Sequence, residues 1–467
     1  MNYKLLFHTV SHLKPTQVVF QMINRIYKAR YVQMLAPAHK ILEMTAEPIP
    51  KYESLNGDEF TFLNLTHKFS DWNFVGYGTL FTYNQNYFDF INDSKVEEKE
   101  ASLWIDKFIA EIPKITWGMD PYPIALRSIN WIKFFCKHPK CATKERENSL
   151  WSQLCLLNKR LEYHLLGNHL LEDAYALYIG GCYFNDKKLK DKACRLLIRQ
   201  LHEQTLEDGA HYEQSPMYHC ILLDRLLDCI NFGETEELKA FAERQLGWLE
   251  EICYRDGTWP MFNDSALGIA PTTEMIFDYA KRLGLSWNAL KLNDSGYRKL
   301  TDGKIELIVD IGNITAKYQP GHTHADSTNY ELRIAGEPIV VDTGISTYDK
   351  TPRRQYERSS VAHNMVVREG ATCESSCSCY EVWGGFRVGK RCNTLITIDK
   401  DKELEAVHNG YGKLCKRHWT VTNESLVVED SFEGKAVSYI HLAAGVDLGR
   451  VRIPSFVTVC TINPLVR

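Results

Sequence analysis

The sequence predicts an α and β protein with more than one domain, in which a helical part is followed by antiparallel strands. Its 467 residues exceed the roughly 250 to 300 at which one hydrophobic core stops growing. Up to about residue 300, apolar residues recur at intervals of three and four, as in "MYHCILLDRLLDCINF". From residue 301 the interval becomes two, in short β-branched stretches such as "GKIELIVDIGNITAKYQ". These two periods place a domain boundary near residue 300.

The helical part carries a weak internal repeat. "GMDPYP", "LLGNHLLE", "EDGAHYEQSP" and "RDGTWPMFND" follow one another at intervals of about 40 to 50 residues, and each is typical of the corner of a helical hairpin. The repeat fits an open α-solenoid or a closed (α/α) toroid, and the Tyr, Trp, Asn and acidic residues of the corners favour the toroid. We therefore predict an N-terminal helical arm at residues 1–50, an (α/α) toroid at 51–300 and a β domain at 301–467.

Charge and hydropathy exclude several functions. The formal net charge of −4 gives no basic field for nucleic acid. No run of about 18 apolar residues occurs, so no membrane span is expected. Polar residues interrupt the apolar N-terminal stretches before they reach signal-peptide length, so a cytoplasmic location is expected. These residues are Lys4, His8, His12, Lys14 and Gln17.

The fourteen cysteines are expected to be reduced thiols, since no export signal is seen. Several fall on predicted helices, where cysteine behaves as a small buried hydrophobe. The cluster Cys373, Cys377 and Cys379 lacks the paired CxxC spacing of zinc ribbons, so no zinc ribbon is predicted there.

The stretch "LEYHLLGNHLLEDAYAL" predicts a helix with a polar face. His164, Asn168, Glu172 and Tyr175 follow at steps of four, four and three, which places them on one side of a helix. Such a face points toward a ligand, toward solvent or into a buried hydrogen-bond network.

The stretch "DGAHYEQSPMYH" predicts a helix start. Ser215 suits the N-cap and Pro216 the first helical position, so Tyr218 and His219 belong to the first turn. The unpaired N–H groups and the helix dipole there favour an anion and could help to ionise a phenol. The alternative is that Tyr212 and Tyr218 are packing residues.

The stretch "GHTHADSTNYEL" places His322, His324 and Asp326 on one face if it is extended. Two such imidazoles can bind zinc, for which Asp342 and His363 would be further ligands. Histidines this close also disfavour double protonation, so one of them could act as a base. The alternative is a hydrogen-bonded pair of strand histidines.

The stretch "TPRRQYERSSVAHN" brings three arginines close to His363 in sequence. Arg353, Arg354 and Arg358 could hold carboxylates or sulfates in a bidentate way. A solvated loop would explain the same charge run.

Taken together, "GNHLLEDAYAL", "EDGAHYEQSPMYH", "DGTWPMFNDS", "GHTHADSTNYEL", "VVDTG" and "ERSSVAHNMVVREG" resemble the heparinase II/III family of polysaccharide lyases, and they occur in the family's order. "WGMDPYPIALRSINWIKFF", "YNQNYFDF" and "EVWGGFRVGKR" extend the resemblance. It implies an incomplete (α/α) toroid joined to an antiparallel β-sandwich, with an acidic polysaccharide bound between them. The start of the chain resembles cytoplasmic members associated with capsule or exopolysaccharide production.

The resemblance also implies roles for individual residues. Asn168, with His169 beside it, would stabilise the uronate carboxylate during β-elimination, and Tyr218 and His322 would be the acid and the base in either order. His324, Asp342 and His363 would hold a structural zinc ion. These different roles for His322 and His324 require the chain to turn after Gly321, whereas an extended segment would place both side chains on one face. The substrate-binding residues would be Tyr122, Arg127, Tyr212, Glu213, Arg353, Arg354, Arg358 and Trp383.

Two other functions fit the same sequence. An (α/α)-toroid glycoside hydrolase would need two carboxyls across the sugar, drawn from Glu172, Asp173, Asp208 and Glu213. A non-catalytic glycan-binding or assembly factor of polysaccharide biosynthesis would keep the cleft without turnover. The polymer stays open among heparan-like, alginate-like and bacterial capsular uronides.

Overall fold

The computed structural model describes residues 3–370, 379–423 and 425–446. Its helices are α1 Tyr3–Val10, α2 Pro15–Ile26, α3 Thr79–Tyr87, α4 Glu98–Glu111, α5 Pro121–Lys137, α6 Lys144–Leu157, α7 Gly167–Tyr183, α8 Lys187–Gln204, α9 Pro216–Gly233, α10 Glu236–Ile252, α11 Thr273–Arg282 and α12 Pro352–Glu357. Its strands are β1 Leu55–Asn56, β2 Glu59–Phe62, β3 Leu65–Lys68, β4 Tyr297–Asp302, β5 Ile305–Asp310, β6 Asn329–Ile334, β7 Glu337–Val340, β8 Val366–Arg368, β9 Val382–Trp383, β10 Arg387–Val388, β11 Thr394–Lys400, β12 Glu403–His408, β13 Cys415–Val421, β14 Leu426–Phe432 and β15 Ala436–Ser438. The predicted change from helices to antiparallel strands near residue 300 is confirmed.

One small sheet interrupts the part that was predicted to be all helical. Strands β1 to β3 form an antiparallel meander over residues 55–68. The signal was present in the sequence, because Gly57-Asp58 is a typical two-residue hairpin turn with glycine at its first position, where φ is 62°. Phe60 and Phe62 point inward from β2 and pack into the helical core, which attaches the sheet to the helices.

The central helices pack in a regular pattern. Helix α7 contacts both α5 and α9, while α6, α8 and α10 contact α5, α7 and α9 respectively. Nearly every side chain of α7 and α9 is buried, so these two helices have protein on all sides. Both begin at the candidate site, and their N-terminal turns are therefore held by the core of the helical part.

After residue 296, two four-stranded antiparallel sheets have the orders β4-β5-β6-β7 and β11-β12-β13-β14. Leu307 of β5 and Trp419 of β13 belong to one hydrophobic cluster, so the two sheets pack against each other. Ile308 of β5 points the other way and joins the core of the helical part. Strand β5 is accordingly buried along its whole length, which explains its continuous apolar run.

The segment 319–328 is not a strand, contrary to the period-two expectation. It is an irregular loop between β5 and β6, with a turn at Gly321-His322 and β6 beginning only at Asn329. The loop packs against the helical part, since Asp264 N–H donates to the His322 carbonyl and His324 N–H donates to the Asn263 side chain.

Within the described residues, no helix combines the length and the apolar character needed to cross a membrane. Cys373 and Cys377 lie outside the described residues, as does the end of the predicted β domain.

Candidate active site

Three of the predicted catalytic side chains meet at one place between the helices and the strands. Asn168 lies in the first turn of α7, Tyr218 in the first turn of α9 and His322 in the loop before β6. The Asn168 Nδ2 atom is 3.2 Å from His322 Nε2, and the rings of Tyr218 and His322 have centroids 3.9 Å apart. Residues that are distant in sequence therefore form one cluster.

A carboxylate fixes the orientation of the His322 ring. His322 Nδ1 lies 2.8 Å from Asp264 Oδ2. Burial alone would raise the pKa of Asp264, but the Arg354 guanidinium and the hydrogen bonds from His322 and His324 hold it well below its usual range. An ionised Asp264 can only accept, so Nδ1 of His322 carries the hydrogen. Nε2, on the other side of the ring, faces the Asn168 amide nitrogen.

Sequence reasoning missed Asp264 as a site residue. Its two oxygens accept hydrogen bonds from His322, from Nε2 of His324 at 2.8 Å and from both terminal nitrogens of Arg354. The quoted corner "DGTWPMFNDS" contained Asp264, but an aspartate in such a corner is usually a turn residue. Only the long-range contacts reveal its role.

Glu213 holds Asn168 from the other side. Its carboxylate accepts from the backbone N–H of Asn168 and from Nδ2, both at 2.9 Å. This approach requires Gly167, which has a positive φ of 60° and whose added Cβ would lie 2.5 Å from Glu213 Oε1. Glu213 Oε2 is also 3.3 Å from His322 Nε2, where it would stabilise a protonated ring.

Tyr218 is placed by the predicted helix start. Ser215 is the N-cap, its hydroxyl accepts from the Tyr218 N–H at 3.2 Å, and Pro216 occupies the first helical position. The Tyr218 side chain is half-buried, and burial raises its pKa above the usual value for tyrosine. The phenol is therefore protonated at neutral pH, and the expected ionisation by the helix start is not found.

A cavity of about 770 Å³ lies next to Asn168: its neighbour His169 lines the cavity, whereas Asn168, Tyr218 and His322 themselves do not. His169 and Tyr122 line it, with ring centroids 4.7 Å apart. His169 Nδ1 lies 2.9 Å from Glu162 Oε2. Burial lowers the pKa of His169, but the Glu162 carboxylate outweighs it and the net pKa is raised. The cavity also presents the cationic side chains of Arg25, Lys28, Lys159, Arg160 and Lys192.

The four residues predicted to share one polar face of α7 do not share one environment. His164 lies before the helix begins and lines the cavity, whereas Glu172 and Tyr175 are fully buried in the helical core. Glu172 Oε2 is 3.8 Å from Arg225 Nε, and burial raises its pKa to about 7. Past its first turn the helix therefore faces the core, but the side-chain oxygens of Glu172 and Tyr175 have no hydrogen-bond partner among the described residues, so the alternative of a buried hydrogen-bond network is not found.

Several predicted substrate-binding residues have other contacts. Arg127 is fully buried and its guanidinium donates to Gln153 and to the Asn86 carbonyl, so it is a core residue, contrary to prediction. Trp383 Nε1 donates to the Thr9 hydroxyl of α1 at 3.1 Å.

Tyr212 remains next to the site but is buried. Its hydroxyl lies 3.1 Å from that of Tyr318. Of the three predicted arginines, Arg354 and Arg358 are buried, and Arg358 donates to the Thr323 carbonyl. Only Arg353 is exposed, and its Nε donates to Glu357 at 2.7 Å. Arg354 and Arg358 therefore position the histidine loop and are not free to bind an anion, contrary to prediction.

The three predicted zinc ligands are neighbours. His363 Nδ1 lies 2.7 Å from Asp342 Oδ2, and the rings of His324 and His363 have centroids 5.2 Å apart. The donor chemistry fits zinc, since Nδ1 of His324 is buried without a hydrogen bond. Within the described ranges, however, no three His, Cys, Asp or Glu side chains are arranged around one point, because Asp342 and Asp264 engage the histidines.

Comparisons with known proteins agree with the order of the two parts. The "Heparinase II/III N-terminus" family model matches residues 151–281, and the "Heparinase II/III-like, C-terminal" model matches residues 285–453. A heparin-sulfate lyase from Bacteroides stercoris is 21% identical over 262 residues, which is 47% of this chain and 38% of that protein. The match thus spans well under half the length of that relative.

Solved structures are similar in fold. A structure described as a heparinase III gene product has a TM-score of 0.55 at 15% identity and covers 79% of this chain and 67% of its own. A crystal structure of heparinase III has a TM-score of 0.54 at 15% identity, with 82% and 66% covered. With residues 151–281 and 285–453 matched in order by the two models of one family, the chain belongs to the heparinase II/III-like family.

Proposed function

We propose that this protein is a polysaccharide lyase that cleaves a uronic-acid-containing glycosaminoglycan by β-elimination. The observation that carries the proposal is the convergence of Asn168, Tyr218 and His322 at one place beside a cavity. The similarity to a heparin-sulfate lyase supports the substrate class.

The reaction begins with a proton that is hard to remove. The C5 hydrogen of a uronate is a very weak acid, so the charge that spreads onto the carboxylate must be stabilised as the hydrogen leaves. The Asn168 amide can donate to that carboxylate. Its two Nδ2 hydrogens point at Glu213 and His322, so binding of the uronate requires one of these contacts to be released.

The base and the acid are assigned from the geometry of the cluster and the protonation of Tyr218. His322 is held by Asp264 through Nδ1, so Nε2 is the atom that takes the C5 hydrogen. The electron pair forms the C4–C5 double bond, and the C4–oxygen bond breaks. The protonated Tyr218 gives its hydrogen to the leaving oxygen. Glu213 then stabilises the imidazolium that has formed.

The positions of the carboxylates weigh against a glycoside hydrolase. Glu172 and Asp173 are fully buried, and Asp208 accepts from the backbone N–H groups of Asn293 and Ser295. Glu213 reaches the cluster, but the other carboxylate there, Asp264, is held by Arg354 and two histidines. A hydrolase needs two carboxyls that can act on opposite sides of a sugar. A pure glycan-binding factor would have no need for a paired histidine beside a tyrosine.

The remaining features are part of the same proposal. We infer that the helices close into an incomplete (α/α) toroid and that the strands form a β-sandwich, with domains at 1–50, 51–300 and 301–467. A cytoplasmic location and a link to capsule or exopolysaccharide metabolism stay predictions from the resemblance. The polymer also stays open, with heparan-like, alginate-like and capsular uronides as candidates.

We also propose a structural zinc ion bound by His324, Asp342 and His363. Zinc there would crosslink the histidine loop, the segment after β7 and the segment before β8. The ion would have no part in the elimination, which the residues around His322 carry out.

The experiment that tests the proposal is incubation with a panel of uronic acid polymers while the ultraviolet absorbance of the unsaturated product is followed. Tyr218→Phe and His322→Ala should each lower turnover at least ~100-fold, since proton-transfer groups contribute ~10² to 10⁴ in rate. The matched controls are Tyr77→Phe and His202→Ala, at exposed positions away from the cluster. Reducing ends without the unsaturated product would instead support a hydrolase.

A further inference from the structure

The N-terminal helices α1 and α2 direct apolar side chains away from the protein. In each helix the exposed apolar residues follow at steps of three and four, which places them on one face. Six of these large side chains are 46% to 89% exposed, namely Tyr3, Phe7, Val10, Val19, Met22 and Ile26.

The opposite faces of the two helices attach them to the protein through polar contacts. In α1, the Thr9 hydroxyl accepts from Trp383 Nε1 at 3.1 Å. In α2, the buried Gln17 side chain donates to the Leu165 carbonyl at 3.1 Å. The exposed apolar stripes are therefore not used for docking to the described part of the chain, and their exposure to water is unfavourable.

The charge of this segment is strongly one-sided. Residues 1–42 contain six Lys or Arg and no Asp or Glu, although the whole chain has a net charge of −4. Lys4, Arg25, Lys28 and Arg30 are exposed, and none of them forms an ion pair within the ranges that the structure describes, although Arg25 and Lys28 also line the cavity next to Asn168. A second copy of the same segment would meet these cations with like charge. An anionic surface with an apolar layer beneath it complements both features.

We propose that α1 and α2 are an interfacial anchor that binds an anionic lipid surface. The apolar stripes enter the headgroup region, while the lysines and arginines contact the phosphates. Neither helix is long enough to span the bilayer, so the attachment is peripheral and weakens as salt screens the charges.

The test is co-sedimentation of the full chain with vesicles of equal parts phosphatidylglycerol and phosphatidylcholine, compared with vesicles of phosphatidylcholine alone. The wild type should bind the anionic vesicles at least ~10-fold more tightly, and less so at high salt. Val19→Gln/Met22→Gln/Ile26→Gln should lower that binding at least ~10-fold, since burying each apolar side chain is favourable. The matched control, Leu267→Gln/Leu395→Gln/Val427→Gln, removes exposed apolar groups elsewhere and should bind as the wild type does.

Three results would overturn the proposal. The first is equal or absent sedimentation with both vesicle types. The second is an α2 variant that binds as tightly as the wild type. The third is concentration-dependent self-association that the α2 variant abolishes while vesicle binding is absent, which would assign the stripes to a second copy. None of these results depends on the lyase reaction, so the anchor and the proposed activity stand or fall separately.

Discussion

Asp264 links the parts of the site that came from different regions of the sequence. It orients His322, accepts from His324 and is neutralised by the buried Arg354. Removing one member of such a buried set leaves the others without a partner, which typically costs ~3 to 5 kcal/mol. A variant at Asp264 would therefore lose both stability and activity, so the chemistry is better tested at the residues that Asp264 positions.

Asn168→Ala separates the lyase from both alternatives. The amide is proposed to hold charge that develops only as the C5 hydrogen leaves, so kcat should fall about 100- to 1,000-fold, as for loss of an oxyanion donor, with a much smaller change in KM. Steady-state kinetics on the uronide that gives the unsaturated product measure both constants. The control is Asn84→Ala, because the Asn84 amide donates to the Leu80 carbonyl of its own helix. A higher KM with unchanged kcat would limit Asn168 to ground-state binding.

The pH profile of kcat/KM tests which group is the base. Burial raises the pKa of Tyr218, so the phenol should stay protonated, and with His322 as the base the rate should stay level on the alkaline side of neutral pH. The remaining activity of Tyr218→Phe should be equally level there. A rate that continues to rise about tenfold per pH unit on the alkaline side would make the Tyr218 phenolate the base.

At the scale of elements, the start of α9 connects stability to the site. The Ser215 hydroxyl accepts from the Tyr218 N–H and donates to the Asp264 carbonyl at 2.7 Å. Ser215→Ala should lower the free energy of unfolding by about 1 kcal/mol, as for a lost N-cap. Because it also releases Tyr218 from Asp264, we expect turnover to fall by about tenfold. Denaturant unfolding and kinetics on the same samples measure both effects.

Thr235→Ala is the matched control for this prediction. Thr235 is the N-cap of α10 and accepts from Leu238 N–H in the same way, but it contacts no residue of the cluster. It should lose similar stability and keep full turnover. Equal losses of activity in both variants would show that the effect of Ser215 is general destabilisation.

The start of α9 could be predicted because a Ser-Pro pair at a helix start acts locally. The histidine loop could not. Alternation alone made residues 322–326 resemble a strand, but both imidazoles turn to the two oxygens of Asp264, which is 58 and 60 residues away. Similarly, Arg353, Arg354 and Arg358 were expected to bind the substrate. Burial against Asp264 and backbone carbonyls decides their role, and local sequence does not encode it.

For the whole molecule, the order of the helical and β parts could be predicted from the spacing of apolar residues. That spacing changes near residue 300, and it depends on which face of a helix or strand is buried. The arrangement of the sheets could not be predicted in this way. One face of the β4–β7 sheet joins the helical core and the other packs on the β11–β14 sheet, so it bridges the two parts. This explains how a loop between its strands reaches the first turns of α7 and α9. The active-site geometry is therefore a property of the assembled parts.

The proposed zinc ion would add a crosslink at this junction, and its loss should act on the fold. Purified protein is expected to hold about one zinc per chain, and a chelator should lower its unfolding temperature, because metal binding stabilises the folded state. His363→Ala should lose both the metal and the response to chelator. His408→Ala removes another buried histidine, one outside the ligand set, and should keep both. Elemental analysis and thermal unfolding check this without substrate. A wild type whose unfolding temperature responds neither to added zinc nor to chelator would mean that the bond between His363 and Asp342 alone is the crosslink.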